Sequence, residues 1–242
     1  MSAGRLIGVG VGPGDPELMT LKAARALDEA DVVAHFSKAG RTGNARTIVA
    51  AHMRPGIVEL PLRYPVTTEI PMADPAYGAL IDAFFDTAAA TIATHLDGGR
   101  TVAVLSEGDP LFYGSYMHVH FRLAHRYPTE VIPGVTSLSG CWSAAGLALA
   151  RAQEVLSVVP GTLCDDALRA RLAGGDAIAV IKVGRHLARI REAVADAGRL
   201  DDAVYVERGT MADARIMPLR ETAERAAPYF AVVLVPARTP GP

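Results

Sequence analysis

The stretch TVAVLSEGDPLFYGS, residues 101–115, decides the fold. Residues 101–105 are a continuous apolar run, the pattern of a buried strand. The run stops at Ser106, Glu107, Gly108, Asp109 and Pro110, a turn that glycine and proline make sharp. On the N-terminal side, residues 77–97 carry Leu80, Phe84, Ala88 and Ile92 at helical spacing and end at Gly98 and Gly99. On the other side, residues 114–126 read as a second helix. A buried strand between two helices is the repeating unit of a parallel α/β sheet.

Working outward, residues 5–11 read as a buried strand that runs into Gly12, Pro13, Gly14, Asp15 and Pro16. A helix is predicted over 18–30, a strand over 31–36, a polar stretch over 37–44, a helix over 47–52 and a short strand over 57–60. Residues 61–75 hold Pro61, Pro65, Pro71 and Pro75, which predicts an irregular loop of the kind that often serves binding. Beyond residue 126 a strand is expected at 129–132, a turn at Pro133 and Gly134, and a helix from Thr136 to about Ala145. Strands follow at 154–159, 177–183, 203–207 and 229–235, with helices at 165–173, 186–197 and 219–226. The fold class expected is α/β, in two domains, 1–126 and 127–242.

The 242 residues are 50% hydrophobic, enough for a sizeable core, and the formal charge of −2 gives no basic field for nucleic acid. Two cysteines, Cys141 and Cys164, are too few for a disulfide scaffold and lack metal-ligand spacing. No apolar run approaches the roughly 18 residues of a membrane span, and no signal-peptide pattern stands at the start. A cytoplasmic protein is expected.

The glycines of the first turn invite a dinucleotide reading, and the spacing refuses it. After Gly8 and Gly10 the third glycine position is Pro13; after Gly10 and Gly12 it is Asp15. Neither strand-end turn has a P-loop lysine, and no Gly-x-Ser-x-Gly elbow occurs. His118, His120 and His125 do not share one helix face, so no metal is expected. What remains is positional. Gly108 and Asp109 sit at the carboxyl end of a strand, where open α/β sheets bind ligands. Asp109 would serve equally as a helix cap. Thr136 and Ser137 open a helix, suited either to an anion or to ordinary capping.

Three stretches in this order, GVGPGDPELMTLKAARAL (10–27), SEGDPLFYGS (106–115) and VIPGVTS (131–137), resemble the tetrapyrrole methylases, the class III methyltransferases that use S-adenosylmethionine. The resemblance spans nearly the whole chain. HFSKAG (35–40) and GCWSAAG (140–146) carry a closer match to one branch of the family, acting on a metal-free substrate. The resemblance implies a tetrapyrrole methylase fold with the ligand in a trough between the two domains. It implies S-adenosylmethionine as cofactor, touched by Pro13, Glu107, Gly108, Asp109 and Phe112, by Thr136 and Ser137, and later by the region of Val183 and of Arg208, Gly209 and Thr210. It implies a homodimer, a small-molecule tetrapyrrole substrate, and neither nucleic acid nor membrane as partner.

Such a substrate is rich in carboxylates, so a chain of charge −2 must gather positive charge locally. Lys38, Arg41 and Arg46 follow the second strand, and Arg63 opens the proline-rich stretch with Tyr64 beside it. These five are the expected substrate contacts, arginine being suited to bidentate carboxylate binding. No catalytic residue is nominated. Within methyl transfer the resemblance leaves open another tetrapyrrole substrate (uroporphyrinogen III, cobalt-factor II or a later precorrin) or a related diphthine-type methylase; outside it stand a ligand-binding protein that keeps the fold without turnover and an NAD-linked oxidoreductase, the last disfavoured by the glycine spacing.

Overall fold

The computed structural model describes residues 4–65, 75–222 and 226–238. The chain divides into two compact units, Met1–Ser137 and Leu138–Pro242.

In the first unit, strands and helices alternate: β1 (Arg5–Gly10), α1 (Leu21–Glu29), β2 (Val32–Lys38), α2 (Asn44–Ile48), β3 (Val58–Tyr64), α3 (Pro75–Asp97), β4 (Thr101–Ser106), α4 (Tyr116–Leu123) and β5 (Thr129–Ile132). The sheet order is β3-β2-β4-β1-β5, with every pairing parallel. Alternate residues of each strand face opposite layers. Ile7, Val9, Val33, Ala103 and Leu105 pack with Ala26 and Leu27 of α1 and Ile48 of α2. Leu6, Val32, Ala34, Val102 and Val104 pack with Ile92 and Leu96 of α3 and Val119 and Leu123 of α4. Burial on both faces explains why these strands read as unbroken apolar runs.

The second unit holds α5 (Ser137–Ala144), β6 (Leu156–Pro160), α6 (Asp165–Gly174), β7 (Ala177–Ile181), α7 (Leu187–Asp196), β8 (Val204–Glu207), β9 (Arg215–Pro218) and β10 (Ala231–Val235). Its sheet order is β6-β7-β10-β8-β9. Only β6 and β7 are parallel; β10 runs antiparallel to both of its neighbours, and β8 to β9. Ile178, Val180, Tyr205 and Val233 face α6 and α7 through Leu168, Leu172, Leu187 and Ile190. Ala177, Ala179, Val206 and Leu234 face α5 through Leu138 and Cys141.

The differences from the sequence reading have local causes. β5 pairs with β1, so residues 129–132 belong to the first sheet and the division falls later than residue 126. β3 continues through Pro61 to Tyr64 because it is an edge strand, where a missing N–H is tolerated. Of the four prolines, Pro61 is thus in a strand and Pro75 begins α3, while Pro71 lies outside the described residues. The helix expected at 18–30 starts at Leu21, because Thr20 Oγ1 accepts from Ala23 N at 3.1 Å and caps it. Pro16–Leu18 is a separate 3-10 turn, capped by Asp15, whose Oδ1 accepts from Glu17 N at 2.9 Å. The helix expected at 219–226 is a single 3-10 turn, Leu219–Glu221; residues 223–225 lie outside the described part. β9 was not expected at all.

Candidate functional site

β4, β1 and β5 are adjacent, so their carboxyl-terminal turns meet. Val11 N donates to Ser106 O (3.0 Å), and Gly108 N donates to Gly12 O (2.8 Å). Gly12 and Gly108 both adopt positive φ, +81° and +63°, where a side chain is strained. The third turn closes tighter still. A Cβ on Gly134 would lie 2.1 Å from Gly108 O and 3.0 Å from Gly10 Cα. Three turns from distant parts of the sequence therefore touch backbone to backbone.

Asp109 fastens them. Its Oδ1 accepts from Leu111 N (2.9 Å) and its Oδ2 from Gly134 N (3.2 Å). It is not the cap of α4, whose N-cap is Ser115. Glu107 is turned elsewhere: its Oε1 accepts from Ala45 N (3.3 Å), at the start of α2. Burial pushes its carboxyl above the usual range, while bonds from its own backbone N–H, Ala45 and the Asn44 side chain pull it down. The side chain expected to touch the cofactor is committed to α2, which leaves the backbone of Glu107 at the strand end.

Beyond Asp109 the chain exposes Leu111, Phe112 and Tyr113, at 48%, 36% and 47%. Phe112 and Tyr113 stack edge to face at 5.0 Å, and Tyr113 has a φ of +55°. Consecutive exposed apolar side chains on a strained strand-end loop form a surface fit for the flat apolar face of a ligand such as an adenosyl group. Of the three, the sequence reading named only Phe112; Leu111 and Tyr113 stand exposed beside it. Pro13 is buried in the first turn, and Thr136 and Ser137 are half-buried, with Ser137 N 3.4 Å from where a Gly108 Cβ would stand.

In the second unit, two residues in the left-handed region follow strand ends: Lys182 after β7 and Arg208 after β8, at φ +55° and +52°. Val183 itself is fully buried in the core beside Leu187 and Ile190, so its side chain is unavailable to a ligand. Gly209 packs on α5: a Cβ there would lie 3.0 Å from Cys141 Sγ.

A separate cavity of about 490 Å³ opens at the carboxyl ends of β2 and β3 in the first unit. His35, Ser37, Gly40, Arg41, Arg46, Glu59 and Arg63 are among its lining residues. Three of the five expected substrate contacts, Arg41, Arg46 and Arg63, are thus brought together. Arg46 and Glu59 form a bidentate pair, Nε to Oε2 at 2.7 Å and a second nitrogen to Oε1 at 2.8 Å. Hydrogen bonding to Arg46 holds the Glu59 carboxyl below its usual range. The other two expected contacts fall elsewhere. In register, Ser37 pairs with Arg63 and Lys38 with Tyr64, so strand alternation puts Lys38 and Tyr64 on the opposite face. Tyr64 packs on Phe36 and Phe84 and its hydroxyl bonds Ser115. Among the described residues no group of three or more His, Cys, Asp or Glu could hold a metal, and no helix is long and apolar enough to cross a membrane.

A parallel α/β sheet with glycine-locked turns at β1, β4 and β5 is the frame on which this chain joins a known class. The chain belongs to the tetrapyrrole (corrin/porphyrin) methylases, whose family model matches residues 5–224. Among its relatives is the precorrin-2 C(20)-methyltransferase of a Sinorhizobium species, 60% identical over 98% of this chain and 96% of that protein. The cobalt-precorrin-2 C(20)-methyltransferase of Salmonella typhimurium is 27% identical over 96% of both. Among solved structures, uroporphyrin-III C-methyl transferase from Thermus thermophilus, complexed with S-adenosyl homocysteine, superposes with a TM-score of 0.64 at 28% identity over 96% of each chain.

Proposed function

We propose that this chain transfers a methyl group from S-adenosylmethionine to C-20 of precorrin-2, giving precorrin-3A in cobalamin biosynthesis. The observation that carries the reading is 60% identity along essentially the whole chain to a precorrin-2 C(20)-methyltransferase. The weaker likeness to the cobalt-precorrin-2 enzyme, 27%, favours the metal-free substrate. The expected segments HFSKAG and GCWSAAG point the same way.

S-adenosylmethionine supplies the methyl group as an electrophile on sulfur. The chain's own tasks are positioning and exclusion of water, and no covalent nucleophile is required. Well-oriented reactants can gain roughly 7–11 kcal/mol from positioning. The donor is proposed to sit on the first unit's turns, against Pro13, Gly108, Asp109, Phe112, Thr136 and Ser137. Glu107, Val183 and Gly209 are proposed to contribute through backbone groups. Arg41 and Arg63 are proposed to meet substrate carboxylates, with Arg46 held in place by Glu59. We assign no general base. A cytoplasmic homodimer is the proposed assembly; a sedimenting species of one chain's mass counts against it.

A substrate panel with labelled donor tests the reading: precorrin-2, cobalt-factor II and uroporphyrinogen III, compared by kcat/KM. Precorrin-2 is expected to be preferred by tenfold or more, about 1.4 kcal/mol in the transition state. Equal or better turnover of either alternative overturns the assignment.

A further inference from the structure

The cavity at the ends of β2 and β3 holds one group that neither methyl transfer nor carboxylate binding explains. His35 lines it, yet its side chain is only 7% exposed. Its Nδ1 is buried without a hydrogen-bond partner among the described residues. Gly43 closes on that nitrogen, since a Cβ there would lie 3.5 Å from it. The other nitrogen, Nε2, stands 3.7 Å from Glu59 Oε2, just outside hydrogen-bond range. A buried polar atom left unsatisfied carries a cost and calls for a reason.

We propose that His35 is a positioning residue that takes up a proton when an anion enters this cavity, so that a substrate carboxylate bound by Arg41 and Arg63 is held together with an imidazolium. The proposal rests on the reading that the cavity takes a carboxylate. The charges facing His35 make the coupling. From β3 come Glu59 and Arg63, from α2 Arg46, and from the segment between β2 and α2 Arg41. From the β4 side Glu107 ends on α2 at Ala45. Among the described residues lining the cavity, three guanidiniums stand against one carboxylate, and that carboxylate is already engaged by Arg46. Among the described residues neither Arg41 nor Arg63 has an ion-pair partner. Burial holds the His35 imidazole below its ordinary range; Glu59 pulls the other way and Arg46 adds to the depression.

An entering carboxylate reverses the balance. It engages Arg63 and Arg41 and competes with Glu59 for Arg46. Two carboxylates then share the space, and an added positive charge at His35 becomes favourable. The proton comes from solvent, forms one new N–H bond and breaks no bond in the protein. A movement of a few tenths of an ångström would bring Nε2–H onto Glu59. Binding linked to uptake of one proton strengthens as pH falls from the bound-state pKa toward the free-state pKa, by at most about tenfold per pH unit. Below the free-state value, which lies under 6.5, the dependence flattens.

The test follows the His35 imidazole by NMR from about pH 5 to 8, the range in which imidazole titrates. His35→Asn identifies its signals among the seven histidines of the chain. Tricarballylate, a small molecule with several carboxylates, serves as the probe. The His35 pKa is expected to rise by about one unit or more when the probe saturates, the size expected for a new opposite charge nearby. In Arg63→Ala the rise should shrink. No binding of the probe, binding without a rise, or an undiminished rise in Arg63→Ala overturns the proposal. A parallel measurement of precorrin-2 methylation separates the two claims. There the pH dependence should appear in KM rather than kcat and be lost in His35→Asn. Absence of any turnover with an intact NMR shift sinks the substrate reading and leaves the proton coupling standing.

Discussion

Asp109→Asn is the sharpest perturbation of the strand-end turns, because it changes one heavy atom and almost no volume. The carboxylate accepts from Leu111 N and Gly134 N, one bond per oxygen. Asparagine keeps one acceptor oxygen and replaces the other with a donor. One of the two backbone N–H groups must then face an NH₂. The Leu111 bond is local and solvent-exposed, so its loss should be slight. The Gly134 bond is partly buried and joins the turn after β5 to the turn after β4. A hydrogen bond to a charged group contributes about 1.5–3 kcal/mol, with a further cost for the stranded donor. Asp109→Asn should therefore lose about 1.5–3 kcal/mol when the Gly134 bond is the one broken, or roughly 3–12 °C in Tm for a chain of this size. Asp109→Ala, losing both bonds, should lose more. Because the donor is proposed to rest on these turns, its affinity should fall by about tenfold, equivalent to 1.4 kcal/mol. Differential scanning calorimetry and titration calorimetry with S-adenosylhomocysteine read the two quantities. Wild-type Tm together with wild-type affinity would show that Asp109 does not hold the turns.

Glu107→Gln should raise Tm at neutral pH. Its folded pKa lies above the unfolded value, so the folded state binds the extra proton between the two and wild-type stability falls as pH rises from 4.5 through the folded pKa. The variant should flatten that stretch of the stability–pH curve, and an unchanged slope would remove Glu107 as its source. Tyr113→Gly should relieve left-handed strain of about 1–3 kcal/mol, offset partly by glycine's greater freedom when unfolded. Its Tm should hold or rise while donor affinity drops; a large fall in Tm contradicts the account. Arg63→Ala should raise KM for precorrin-2 by about tenfold, given roughly 1.5–3 kcal/mol for a charge-assisted bond. Lys38→Ala, on the opposite face of the sheet, should leave KM unchanged; equal effects in steady-state kinetics would refute the division.

Most of the first sheet was legible because strands buried on both faces carry unbroken apolar runs, and residues 101–105 are a strand for that reason. Edge strands do not. β9, reading RIMP with two exposed residues and a terminal proline, lacks that signal. The motif glycines were visible in sequence as makers of sharp turns, but which backbones they bring together was not. Contact of Gly134 with Gly10 and Gly108 depends on β5 lying beside β1, a long-range pairing that local pattern does not encode. Likewise, Lys38 and Tyr64 stand close to Arg41 and Arg63 along the chain and on the opposite face of the sheet from the cavity. Once β2 is carried to Lys38, period-two alternation separates them. In the sequence His35 stands only as the first residue of HFSKAG; that its Nδ1 has no partner among the described residues emerges from its burial against Gly43.

The central claim is methyl transfer to one carbon, and the position of the label tests it most directly. The protein is incubated anaerobically with precorrin-2 and S-adenosylmethionine carrying ¹³C in its methyl group, and the product is examined by mass spectrometry and ¹³C NMR. The account predicts a single labelled methyl, at C-20. A product without added methyl, or with the label at any other carbon, contradicts it.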